Sequence, residues 1–175
     1  IADSSTYWLP GDSMISLRNL SSVFIYRPSN DSIVWLKNGP FYGQHDPDII
    51  NEHQLSIFNN SYVLPNKREK LPENRDVLDI MTGTASAQCM VYDFEKREVE
   101  PIFTELMDSL RIITATEGLF HWLPNGDLFV EQENAGKIYV LSPTEGLIYQ
   151  HSFVVEGRPG LAHLTNWYRI YETLD

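Results

Sequence analysis

Three scarcities narrow what this 175-residue chain can be. It has a single cysteine, Cys89, so an intrachain disulfide and a Cys/His zinc spacing are both excluded, and the thiol is expected to be buried. Basic residues are few: 13 Lys and Arg stand against 24 Asp and Glu, giving a formal net charge of -11, and the longest basic run is Lys67-Arg68. A phosphate backbone finds no electrostatic footprint on such a chain, so nucleic acid is not an expected partner. No apolar run approaches the ~20 residues of a membrane-spanning helix, and none is longer than a strand, so no membrane span is expected. Neither a glycine-rich phosphate loop nor a Gly-x-Ser-x-Gly elbow is present, which removes two common routes to catalysis and leaves no cofactor to expect. What the chain does have is 42% hydrophobic and 12% aromatic residues, enough to build the core of one domain or of part of a larger one.

The chain opens on Ile1 rather than Met, with neither a basic nor an apolar leader region, which suggests that a leader or a longer N-terminal part has been removed. Three Asn-x-Ser/Thr triplets, at Asn19, Asn30 and Asn59, point the same way, toward a secreted or periplasmic protein.

The strongest positive signal is internal repetition. Trp8-Leu9-Pro10-Gly11-Asp12 matches Trp122-Leu123-Pro124-Asn125-Gly126-Asp127, and past the aspartates the two segments run without a gap at an offset of 115 residues. Asn19 meets Asn134, Val23-Phe24-Ile25-Tyr26 meets Ile138-Tyr139-Val140-Leu141, and Pro28 meets Pro143. A third copy starts about 42 residues after the first, at Ile50-Asn51-Glu52-His53-Gln54-Leu55-Ser56-Ile57-Phe58, and its second half is displaced by an insertion. Each copy reads as three or four short strands: an alternating or apolar run, a polar turn, a β-branched and aromatic run, then a proline turn. A 3.6-residue period shows only over 100–110, where Ile102, Phe103, Leu106, Met107 and Leu110 form one stripe; Pro101 suits the first turn of a helix there, and an outer strand with its connection fits equally. Residues 61–87, rich in Pro, Asn, Lys and Glu, read as a surface insertion, the stretch most prone to disorder, with a brief helix at 76–81.

Four-stranded repeats of roughly 40–45 residues are the signature of β-propeller blades. The fold class is therefore all-β, a single partial propeller over 1–175 with about three to four blades; a β-sandwich is the alternative. Closed propellers have four to eight blades, so missing blades or another protein chain are expected to complete the ring.

The runs Gly11-Asp12-Ser13-Met14-Ile15-Ser16-Leu17-Arg18-Asn19-Leu20, Ile33-Val34-Trp35, Gly43-Gln44-His45-Asp46-Pro47-Asp48 and Leu55-Ser56-Ile57-Phe58-Asn59-Asn60 resemble the arylsulfotransferase-like propeller family, as do 122–131 and Ala135-Gly136-Lys137-Ile138. The resemblance covers most of the chain outside 61–100. It implies the C-terminal part of a six-bladed propeller, and sulfuryl transfer from a phenolic sulfate donor to a phenol acceptor through a channel histidine, without a nucleotide. The other reading is a non-catalytic binding or scaffold propeller acting as a subunit of a larger assembly.

His45 is the first nucleophile candidate: it closes a loop at the start of a blade, and Pro47 is expected to hold Asp46 extended. His121 stands near the matching place in a later blade and is the second catalytic candidate. Aligning the copies on their first strands lays Gln44-His45 over Glu117-Gly118, so Glu117 is a candidate to orient an imidazole. Arg18 and Arg169 are candidate sulfuryl-oxygen binders, since a guanidinium presents a planar fork of donors. The i,i+2 pairs Asp46/Asp48 and Glu131/Glu133 would share a side of their strands, but no liganding rhythm accompanies them, so no metal site is expected.

Overall fold

A computed structural model describes residues 7–60, 86–114 and 117–153. Among these, eleven strands form three antiparallel sheets, and each sheet is a meander whose strands follow chain order. The first holds β1 (Ser13–Leu17), β2 (Ser22–Arg27) and β3 (Ser32–Asn38). The second holds β4 (His45–Asn51), β5 (Gln54–Asn59), β6 (Gln88–Asp93) and β7 (Glu98–Ile102). The third holds β8 (Leu119–Trp122), β9 (Leu128–Gln132), β10 (Lys137–Ser142) and β11 (Gly146–Ser152). The protein is all-β with propeller-like blades: β1 lies beside β4 and β4 beside β8, so leading strands of successive sheets adjoin.

The 115-residue repeat is reproduced at the level of backbone geometry. It carries β1 onto β9, β2 onto β10 and β3 onto β11. The 3-10 turn Arg18–Leu20 reappears as Glu133–Ala135, and each is closed by a left-handed residue, Ser21 (φ 50°) or Gly136 (φ 60°). The β-bulge between Ile25 and Tyr26 reappears between Val140 and Leu141. By this alignment β1 is the second strand of its repeat, like β5 and β9, and the counterpart of β8, with Trp8 set against Trp122, falls on residues 5–8, of which Tyr7 and Trp8 are described.

Two cores form because the second sheet is apolar on both faces, and neighbouring side chains of a strand point to opposite sides. Leu55 and Ile57 of β5 pack toward the first sheet with Val23, Ile25, Phe41, Met90, Tyr92 and Phe94. Phe58, one residue on, packs toward the third sheet with Cys89, Phe120, Leu128, Val130, Tyr139 and Leu141. Cys89 is buried, as expected of a lone thiol.

Local departures from the sequence reading have physical causes. The apolar stripe over 100–110 does pack on the second core, but Pro101 sits in β7 opposite Met90, and the helix, α1, covers only Thr104–Ser109. Asp46 is not extended despite Pro47: its φ is 51°, because the β4–β5 register shifts between His45 and Asp48 and that irregularity dictates the local backbone. The Asn59 triplet is no glycosylation acceptor in this fold, since Asn59 is 2% exposed and its amide donates to Gln88 at 3.0 Å, whereas Asn19 and Asn30 are exposed. Most of the expected insertion, 61–85, including the helix expected at 76–81, lies outside the described residues; its last residue, Ala87, is fully buried and donates its N–H to the Ile112 carbonyl.

Candidate functional site

The chain ends of the leading strands gather an unusual set of buried polar groups. The loop 39–44 that delivers β4 is tied at several points: Tyr42 N–H donates to Asn59 Oδ1 (2.8 Å), Asn60 Nδ2 donates to the Gly43 carbonyl (2.8 Å), and fully buried Gln44 donates to the Ser22 carbonyl (3.0 Å). His45, the first residue of β4, is thereby fixed in position. Its ring lies nearly parallel to that of Phe58 (centroids 5.2 Å apart, 20°), which in turn stacks on Phe120 (5.7 Å).

Burial, and secondarily the positive charge of Arg18, push the His45 imidazole down to about 4, against the opposing pull of a hydrogen bond with Asn60 and of the Glu117 carboxylate. The ring is therefore neutral at pH 7. Its Nε2 is buried and makes no hydrogen bond within the chain. Asn60 is itself 1% exposed and braced from behind, its Oδ1 accepting from the Thr114 hydroxyl.

Carboxyl groups crowd the neighbouring positions. Asp46 is pushed up to about 7 by burial, with a contribution from Asp48, although its Oδ2 accepts the Phe120 N–H at 3.1 Å. Glu131, 3% exposed, is raised to about 7 by burial and by Asp46, and its Oε1 has no partner. Glu133 is raised by burial and then by a side-chain hydrogen bond to Glu117 and the charges of Glu117 and Glu131. The two i,i+2 pairs thus do share fields, yet among the described residues no three His, Cys, Asp or Glu side chains are placed to hold a metal ion.

Of the residues singled out from sequence, Arg18 and Glu117 both lie within electrostatic reach of His45. His121 sits two residues into β8, with Nδ1 3.8 Å from Asp48 Oδ2. Arg169 lies outside the described residues. Asn60 and the upward displacement of Asp46, Glu131 and Glu133 escaped the sequence reading. The signal for Asn60 was in the repeat. Arg18, Asn60 and Glu133 each stand one residue beyond the second strand of their copy, after Leu17, Asn59 and Gln132, at the same offsets of 42 and 115.

Blades of this kind, with an imidazole, a guanidinium and carboxyl groups near their strand ends, define a propeller-like all-β protein. Comparison with family models gives the particular family: residues 2–154 match the model described as arylsulfotransferase (ASST), and the chain belongs to that family. No curated protein and no solved structure matches it. No helix among the described residues is long and apolar enough to cross a membrane.

Proposed function

We propose that this chain carries the sulfuryl-transfer site of its propeller and that His45 is the nucleophile. The observation that supports this most directly is the state of the His45 ring: neutral at pH 7, clamped between Phe58 and Asn60, with Nε2 unengaged and Arg18 nearby. An imidazole nitrogen that keeps its lone pair is a competent nucleophile. In the first half-reaction Nε2 attacks the sulfur of a phenolic sulfate, the N–S bond forms, and the S–O bond to the phenol breaks. In the second, an acceptor phenol oxygen attacks the same sulfur and the electron pair of the N–S bond returns to the ring. Asn60 accepts from the ring and steadies it as it gains positive character, and Glu117 offsets that charge. Arg18 binds the sulfuryl oxygens. No nucleotide takes part, and His121, engaged with Asp48, is given no step. The rest of the ring comes from further blades or another chain, in a secreted or periplasmic setting to which the exposed Asn19 and Asn30 triplets are suited.

The test uses the full chain with 4-nitrophenyl sulfate and phenol. The expected results are a burst of nitrophenol equal to the enzyme concentration, one sulfo group on the peptide bearing His45, and loss of both in His45→Ala. Arg18→Ala is expected to slow the burst about 100-fold, the usual effect of losing one oxyanion donor. A sulfo group found elsewhere, or a burst that survives in His45→Ala, removes His45 from the mechanism.

A further inference from the structure

The half-reactions above move electron pairs and leave the proton unassigned: the departing phenolate needs one and the incoming phenol must lose one. Arg18 is permanently charged and Asn60 does not titrate, so neither can carry it. The strand that bears His45 leads to a group that can. Along β4, His45 pairs with Phe58 and Asp48 with Ser56. Phe58 and Ser56 are two residues apart on β5 and share a face, and cross-strand partners lie on the same face. The extra residue taken up around the left-handed Asp46 therefore brings Asp48 round to the side of His45; without that shift, a residue three places on would point the other way. The two positions are set about 7 Å apart along the sheet, two residue steps of a strand. His121 meets Asp48 from the third sheet. Its Nδ1 lies 3.8 Å from Asp48 Oδ2, and the two side chains are 34% and 42% exposed. The residues on either side of it are bonded to the second sheet: the Phe120 N–H donates to Asp46 Oδ2 at 3.1 Å, and Trp122 Nε1 donates at 3.1 Å to Oγ of Ser56, the cross-strand partner of Asp48. These bonds hold β8 in register with β4 and keep His121 level with Asp48. A carboxylate facing Nδ1 fixes the tautomer in which Nε2 exchanges protons, and imidazole is the side chain best suited to that exchange near neutral pH.

We propose that His121, oriented by Asp48, is the acid–base catalyst of the transfer. This rests on the reading of His45 as nucleophile. In the first half-reaction the His121 imidazolium gives its Nε2 proton to the phenolic oxygen as the S–O bond breaks, leaving a neutral His121 and sulfo-His45. In the second, Nε2 takes the hydroxyl proton of the acceptor phenol as its oxygen bonds to sulfur and the electron pair of the N–S bond returns to His45. Protons and electron pairs balance over the cycle, with no further reactant. The spacing suits these steps: a sulfur on His45, the phenolic oxygen in line beyond it and one hydrogen bond of ~2.8 Å to His121 together fill about the 7 Å that separates His45 from the level of Asp48. Asp48 touches no reacting atom. It is a positioning residue that faces Nδ1 and balances the imidazolium charge, and a contact of 3.8 Å is of the kind that tightens when substrate is bound.

A general acid matters most when the leaving group is poor. His121→Gln is therefore expected to slow His45 sulfation from unsubstituted phenyl sulfate about 100-fold, and to slow it from 4-nitrophenyl sulfate, whose phenolate leaves unaided, by a factor roughly tenfold smaller. The remaining nitrophenol burst shows that the variant is folded. Asp48→Asn is expected to give the same inequality between the two donors with a smaller loss, because a carboxamide can still face Nδ1 but carries no charge; a merely structural role for Asp48 would slow both donors alike. Equal losses on the two donors in either variant, or no loss on phenyl sulfate in His121→Gln, overturns the proposal. If His121→Gln does not fold, the donor inequality in Asp48→Asn decides alone. Absence of sulfo-His45 in the wild type defeats the nucleophile assignment instead, and is read separately.

Discussion

Gly118, between Glu117 and β8, is where a single methyl group should do most damage. A Cβ built there would lie 2.7 Å from Thr114 Cγ2 and 2.8 and 3.0 Å from Phe58 Cζ and Cε1. Neither neighbour is free to retreat. The Thr114 hydroxyl is bound to Asn60, and Phe58 is fully buried between the rings of His45 and Phe120. Overpacking of this kind costs ~1–3 kcal/mol. The backbone adds to it, because φ at Gly118 is 155°, a region that side-chain-bearing residues avoid at a cost of ~1–3 kcal/mol. Gly118→Ala should therefore lose about 4 kcal/mol, a large share of the ~5–15 kcal/mol that holds a typical domain folded. The control is Gly126→Ala: its φ is 86°, but nothing lies within 4 Å of the added Cβ, so only backbone strain of ~1–2 kcal/mol applies. Urea denaturation of both variants measures the difference, which at ~1–3 kcal/mol per molar appears as a midpoint gap of about 1 M or more. If Gly118→Ala shifts the midpoint no further than Gly126→Ala, the packing described around Phe58 and Thr114 is wrong.

Three further outcomes follow from the same geometry. Glu131 is raised from its ordinary 4.5 to about 7, so its contribution to stability is complete below 4.5 and is lost as pH rises through 7; Glu131→Gln should gain stability over wild type at pH 8 but not at pH 4, as read by urea titrations at both. Thr114→Val leaves Asn60 Oδ1 without its buried hydroxyl donor and should cost ~1–3 kcal/mol, with a slower nitrophenol burst as the His45 ring loses its brace. Asp12 receives both Nε and Nη2 of Arg27 (2.9 and 2.7 Å), which holds its carboxyl below the ordinary 3.8. Its contribution is full above 3.8 and disappears as pH falls through the lowered value, so Asp12→Asn should be destabilising at pH 7 and indistinguishable from wild type at the acid end of the same thermal-melt series.

The blades were legible because their information is local and written twice. The gapless 115-residue offset preserves the strands and even the position of a bulge, while the buried face changes: Val23 and Ile25 are inward in the first sheet, and in the third sheet Tyr139 and Leu141, rather than their counterparts Ile138 and Val140, are inward, because the two sheets pack on opposite faces of the second. Asp46 was misread for the opposite reason. A preference imposed by Pro47 on one residue is weak beside a register shift fixed by the pairing of His45 with Phe58 and Asp48 with Ser56. The mixed fate of the 100–110 stripe has a similar origin, since Pro101 can serve an outer strand as well as a helix start. At the site, His45, Arg18 and Glu117 could be nominated from loop and strand positions alone. The upward displacement of Asp46 and Glu131 could not, because it arises first from burial between sheets and, for Glu131, from a carboxylate distant in sequence.

The coincidence of Arg18, Asn60 and Glu133 on one repeat position has a consequence for how this protein tolerates change. The scaffold is specified by the strand residues that recur from copy to copy, while the position just beyond each second strand carries a cation, an amide or an acid. Substitutions there exchange chemistry without disturbing strand pairing, so the blades act as interchangeable mounts and the site as a set of separately replaceable fittings. Exchanging side chains between these mounts, Glu133→Asn or Arg18→Asn, is accordingly expected to change the polar character of that face while the strands keep their pairing.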